Sequence, residues 1–76
     1  MNIEQLWAQL VQEYGQVIME QYQLMNSGNN PDLSIYHNAI GVLQGYSRAC
    51  YETGVVTGND YNVMVQQIEC LRRGNF

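Results

Sequence analysis

The chain contains no lysine, and apart from His37 its only basic residues are Arg48, Arg72 and Arg73. Seven carboxylates outweigh them, leaving a formal charge of −4. Three arginines neutralise few phosphates, which disfavours a general binder of nucleic acid or of anionic membrane. The carboxylates are also too dispersed to form the phosphate-like ladder of a nucleic-acid mimic. No apolar run approaches the roughly 20 residues that cross a bilayer, and the N-terminus lacks the basic segment and apolar stretch of a signal peptide. Cysteine is limited to Cys50 and Cys70. A disulfide framework at this size uses more of them, and a zinc site needs ligands clustered at short spacing. Both are read as reduced, intracellular thiols.

What is present is 46% apolar and only 13% charged, with a polar side built largely from glutamine and asparagine. A single domain of 76 residues hides only roughly 60% of its unfolded surface, so its core is thin and association with another chain would help it.

The helices are located by their ends. Asn2 with Gln5 forms a capping box, and Met1 can staple onto Leu6. Ile3, Trp7, Leu10, Val11, Tyr14, Ile18 and Met25 then recur on one helical face, widened by Leu6 and Val17. The stretch "NSGNNP" ends this helix with Gly28 as a left-handed terminator. Asn30 or Asp32 opens a second helix with Pro31 in its first turn, and Gly54 stops it. In "GVVTGNDY", Thr57 caps, Asp60 closes the box and Val56 can staple onto Tyr61. The third helix then aligns Tyr61, Met64, Val65, Ile68 and Leu71, and ends in Arg72, Arg73 and Gly74. No strand pattern competes. The expected fold is all-α, a three-helix bundle of a long antiparallel hairpin plus a shorter third helix, with helices at about 2–26, 31–53 and 58–73 of one domain spanning 1–76.

A helical wheel of the second helix centres the core face on Tyr36, Ile40, Leu43, Ser47 and Cys50, with Ile35, Val42, Tyr46 and Ala49 to one side. That arc exceeds what one packing partner requires, so this helix is central to the bundle or shared with another chain. Gly41 and Gly45 fall on the rear, near His37, Arg48 and Glu52. Each glycine costs a helix about 1 kcal/mol relative to alanine. They are either irregularities held by packing, or they bare the backbone where a second protein comes close. In the third helix, Val63 and Cys70 sit opposite the core stripe with Gln67 between them. Together with Val42 and Tyr46 they suggest a second apolar surface and a homodimer.

Catalytic chemistry finds no support in the pattern. The sole histidine, His37, falls on the polar side of the second helix, and Cys50 belongs to a core stripe. Cys70 would need a depressed pKa that two nearby arginines do not by themselves supply. No glutamate is followed three residues later by histidine, as a carboxylate-bridged metal site in a bundle requires. A helix-turn-helix reading of the last two helices fails on the long joint "ETGVVTGN" and on the missing phosphate-contacting charges. Neither catalysis, cofactor nor metal is expected, and neither nucleic acid nor membrane is expected as a direct partner.

Six tyrosines and one tryptophan exceed what a thin core needs, and tyrosine and arginine dominate protein interfaces. Tyr22, Tyr46 and Tyr51 lie at the margins of their stripes, and Glu13 and Glu20 share one side of the first helix. The expected partner-binding residues are Glu13, Glu20, Tyr22, Gly41, Gly45, Tyr46, Arg48 and Tyr51; those of the dimer are Val42, Tyr46, Val63 and Cys70.

The stretch "YHNAIGVLQGYSRACYETGVVTGNDYNVMVQQI", a helix ending in "ETG", a short apolar bridge and a capped helix resuming at "TGNDY", resembles small helical proteins of bacteriophages and mobile elements. Anti-CRISPR inhibitors are among these, and they are commonly short, acidic and non-enzymatic. The resemblance covers about half the chain and transfers no functional residue. It implies no specific target; the expected function is a non-enzymatic inhibitor that blocks a host protein or nucleoprotein effector in the host cytoplasm through an acidic, tyrosine-rich helical surface. The alternative is a structural or regulatory homodimerisation module.

Overall fold

A computed structural model describes residues 2–75. Three helices, α1 (Ile3–Asn26), α2 (Leu33–Glu52) and α3 (Gly58–Arg72), form an all-α bundle. The start of α1 is closed by the Asn2–Gln5 box, with Asn2 Oδ1 accepting from the Gln5 amide at 2.8 Å and Gln5 Oε1 from the Asn2 amide at 3.2 Å. The anticipated Met1–Leu6 staple lies outside the described residues. Thr57 and Asp60 close the same box at α3. All three helices end alike: the amides of Asn29, Val55 and Asn75 return to carbonyls five residues back, each after a glycine of positive φ.

The second helix begins later than its sequence suggests. Pro31 stands before the cap and not in the first turn, because Asp32 is the cap. Its Oδ1 accepts from the Ser34 amide at 3.0 Å, the Ile35 amide at 3.3 Å and the Ser34 hydroxyl at 2.6 Å. The amide of Asp32 itself donates to Gln21 Oε1 at 2.7 Å, which fastens the hairpin turn to the body of α1.

Contacts between the helices fix their directions. Trp7, near the start of α1, stacks on Tyr46, late in α2, while Tyr22 meets Tyr36 edge-on near the other end of both helices. These two helices are therefore antiparallel. Tyr51 stacks on Tyr61 where the chain turns into α3, and α3 then runs back so that Arg72 reaches Tyr22 and Tyr36. The result is an up-down-up bundle of 43 × 20 × 18 Å.

Its core consists of Trp7, Ile18, Ala39, Ile40, Leu43, Met64 and Ile68, with Leu10, Val11, Tyr14, Val17 and Leu71 packed around them. Helix α2 packs against both neighbours more extensively than α1 and α3 pack on each other. That accounts for its wide apolar arc. The flank of this arc is Ala39, Val42 and Tyr46, whereas Ile35 and Ala49, expected beside them, are exposed. Met25, placed on the α1 stripe by periodicity, is 50% exposed, since the last turn of α1 has only the short loop and the first turn of α2 across from it. Among the described residues two polar ones are buried, and each is satisfied: Ser47 donates to the Gln44 carbonyl at 3.0 Å, and Gln21 accepts from the Asp32 amide.

Candidate functional site

The outward side of α2 is flat and open. A methyl group built on Gly41 or on Gly45 meets nothing within 4 Å, and Ala49, the next small residue along the same line, is exposed too. Helical spacing of four residues sets these three positions one above another, so the backbone of α2 is covered by little side chain over more than two turns. Beside them Arg48 Nε donates to Glu52 Oε1 at 2.7 Å, an ion pair whose side chains are largely in water. This hydrogen-bonded partner raises the already high pKa of the guanidinium. His37 sits exposed at the start of the face, its ring edge-on to Tyr36 at 5.1 Å. Tyr51, in the last turn of α2, is 48% exposed but turned toward α3, stacked on Tyr61 with ring centroids 4.6 Å apart.

The remaining residues expected to bind a partner are distributed differently. Glu13 and Glu20 are exposed on α1, where Glu13 accepts from the Gln9 amide group at 3.4 Å. Tyr22 and Tyr46 are half-buried and engaged within the chain. The Tyr22 hydroxyl donates to the Arg72 carbonyl, and Tyr46 stacks on Trp7 at 6.1 Å between centroids. Burial, reinforced by Cys50 nearby, pushes the Tyr46 hydroxyl pKa up. Of the eight residues, the structure thus gathers Gly41, Gly45 and Arg48 on one helix face, and turns Tyr51 toward α3.

The four residues assigned to a dimer occupy two seams. Val42 and Tyr46 are half-buried on the side of α2 that carries the Trp7 stack, while Val63 and Cys70 are exposed on α3. Gln67, which sequence places between the last two on the back of α3, accepts a hydrogen bond from Trp7 Nε1 at 2.6 Å. That side of α3 is therefore turned toward α1. The wheel could not find this bond, because nothing local links residues 60 positions apart.

Two hollows accompany these faces. One, of about 220 Å³, lies at the hairpin end among Tyr22, Met25, Pro31, Leu33 and Tyr36. Another, of about 420 Å³, runs between the N-terminal halves of α1 and α3 and is walled by Ile3, Trp7, Val11, Val56, Val63 and Met64. Among the described residues, no three His, Cys, Asp or Glu side chains are grouped so as to hold a metal ion. Among the described residues, no helix is long and apolar enough to cross a membrane. No known protein family, curated protein or solved structure matches the chain.

Proposed function

We propose that this chain is a non-enzymatic protein-binding inhibitor, of the kind made by phages and mobile elements against CRISPR-type host effectors, and that it engages its target through the outward face of α2. The observation behind this is the uncovered pair Gly41 and Gly45 in the middle of a helix that packing otherwise holds on two sides. Glycine costs helix stability, and here no packing inside the chain offsets that cost. A bare backbone does let a second element approach closely, and Arg48 beside it is of a residue type that anchors protein interfaces. Glu13 and Glu20, exposed on α1 and apart from that face, add to the acidic surface the chain offers a nucleic-acid-binding target.

The test titrates the purified chain into purified CRISPR effector complexes and measures cleavage of target DNA. Inhibition by the wild type, lost in a Gly41→Gln/Gly45→Gln variant that remains folded, is the expected result. Inhibition undiminished in that variant overturns the α2 assignment, and no inhibition of any effector overturns the target class. Self-association is the second reading, favoured by Val63 and Cys70, which are exposed without being needed by the core. Light scattering across a concentration series decides it.

A further inference from the structure

The groove between α1 and α3 exists because these two helices make the weakest pairing of the bundle. At one end Gly15 lets Leu71 close in, since a methyl group there would stand 3.3 Å from the leucine. Toward the other end the helices part, and Trp7 spans the gap by its bond to Gln67. From Ile3 to Val11 the α1 wall runs roughly 12 Å at the helical rise per residue. That length matches apolar side chains spaced i, i+4 and i+7 on a partner helix, the anchors of helix-in-groove recognition. Val63, 54% exposed, stands at the lip, and the apolar body of Trp7 forms part of the wall.

Charge decides what fits. Among the described residues, the only charged ones lining the groove are Glu4 on the α1 wall and Asp60 on the α3 wall, both exposed. Asp60 Oδ2 is committed only to a long 3.5 Å bond from the Thr57 amide. A second copy is a poor occupant. It brings a charge of −4, and two of its three arginines are already paired with Glu52 and Glu69. Nucleic acid is repelled by the same two carboxylates.

We propose that the α1–α3 groove is a docking site for an amphipathic protein helix that presents an apolar stripe flanked by lysine or arginine. The stripe lies against Trp7, Val11 and Val63, and the flanking cations meet Glu4 and Asp60. This site is separate from the outward face of α2, so it stands or falls independently of the inhibitor reading.

Trp7 is the sole tryptophan of the chain and lines the groove, so its fluorescence reports occupancy directly. The probe is a synthetic amphipathic helix of leucine and lysine, with a leucine–glutamate helix of the same pattern as its counterpart. The lysine peptide is expected to shift Trp7 emission saturably, one peptide per chain, with affinity that falls as salt rises. Glu4→Gln and Val63→Gln each weaken it several-fold, and Glu69→Gln, outside the groove, leaves it unchanged. Circular dichroism establishes that all three variants are folded. Equal binding of the glutamate peptide overturns the proposal, as does an equal loss in Glu69→Gln. A concentration-dependent dimer that Val63→Gln abolishes also overturns it, in favour of a second copy.

Discussion

At the scale of single residues, the carbonyl of Arg72 gathers the three helices at one end. It belongs to the last turn of α3, where backbone carbonyls have no intrahelical donor. Two hydroxyls supply donors instead, Tyr22 from α1 and Tyr36 from α2, the latter at 2.8 Å. Burial, and then the hydrogen bond with Tyr22, push the Tyr36 pKa up. Either tyrosine alone satisfies the carbonyl, so Tyr22→Phe or Tyr36→Phe should each cost about 1 kcal/mol or less in urea unfolding. The double variant should exceed the sum. Next to this junction Gly74 is required twice over. Its φ is +77°, and a methyl group there would come within 2.9 Å of the Tyr22 ring. Gly74→Ala is expected to destabilise by more than about 1 kcal/mol, read as a lowered urea midpoint. Asp32 governs the acid side. The Ser34 hydroxyl, followed by the Ile35 amide, lowers its pKa below the ordinary aspartate value. A depressed folded pKa means that the cap contributes fully above the unfolded value near about 4. That contribution fades as pH falls through the lower folded value. Asp32→Asn keeps a capping oxygen but should flatten the dependence of stability on pH in this window, measured by denaturant titrations at successive pH values.

Among the elements, α2 carries the greatest tension between local preference and use. Its interior holds two glycines, yet it is the helix that packs most extensively on its neighbours. Because the added methyl groups would project into open space, Gly41→Ala and Gly45→Ala should each raise stability by roughly 1 kcal/mol. The measurement is the thermal midpoint, paired with the effector assay. Stability gained together with inhibition lost would mark the positions as retained for binding, whereas stability lost would mean that an unseen partner already packs on them. Helix ends were legible in the sequence almost to the residue, since caps act over three or four positions: Asn2–Gln5, Thr57–Asp60, and the glycines at 28, 54 and 74 all do what their spacing implies. The flanks of the helices were less legible. A wheel orders residues around one axis without saying which neighbour stands where, and for that reason Ile35 and Ala49 were drawn into a flank that Ala39 occupies. Gln21 and Gly15 escaped for a related reason. Neither looks apolar, but the first meets the turn into α2 and the second meets Leu71.

For the molecule as a whole, a thin core concentrates stability in few side chains. Ile18 and Leu43 are fully enclosed. Leu43→Ala should cost about 2–5 kcal/mol. A chain of this length has roughly 4–11 kcal/mol in total, so the variant is expected to be partly unfolded at ambient temperature by circular dichroism. The up-down-up order joins neighbouring helices by short loops and keeps most contacts local, and such bundles fold in microseconds to milliseconds. Stopped-flow or temperature-jump fluorescence of Trp7 should show a single phase in that range.

Helix number, the capping boxes of α1 and α3, the glycine stops and the central stripes Ile40–Leu43–Ser47–Cys50 and Met64–Ile68 were determined by sequence alone, because they depend on hydrogen bonds and periodicities confined to neighbouring turns. The tertiary structure decided what those stripes leave over. It set Gln67 against Trp7 across 60 residues, and Tyr22 and Tyr36 against Arg72 across 50 and 36. It also left the groove beside Val63 open and the glycines of α2 uncovered. These outcomes follow from how three helices share one small core, which buries the stripes and leaves the angles between the helices to a few long-range bonds and close approaches.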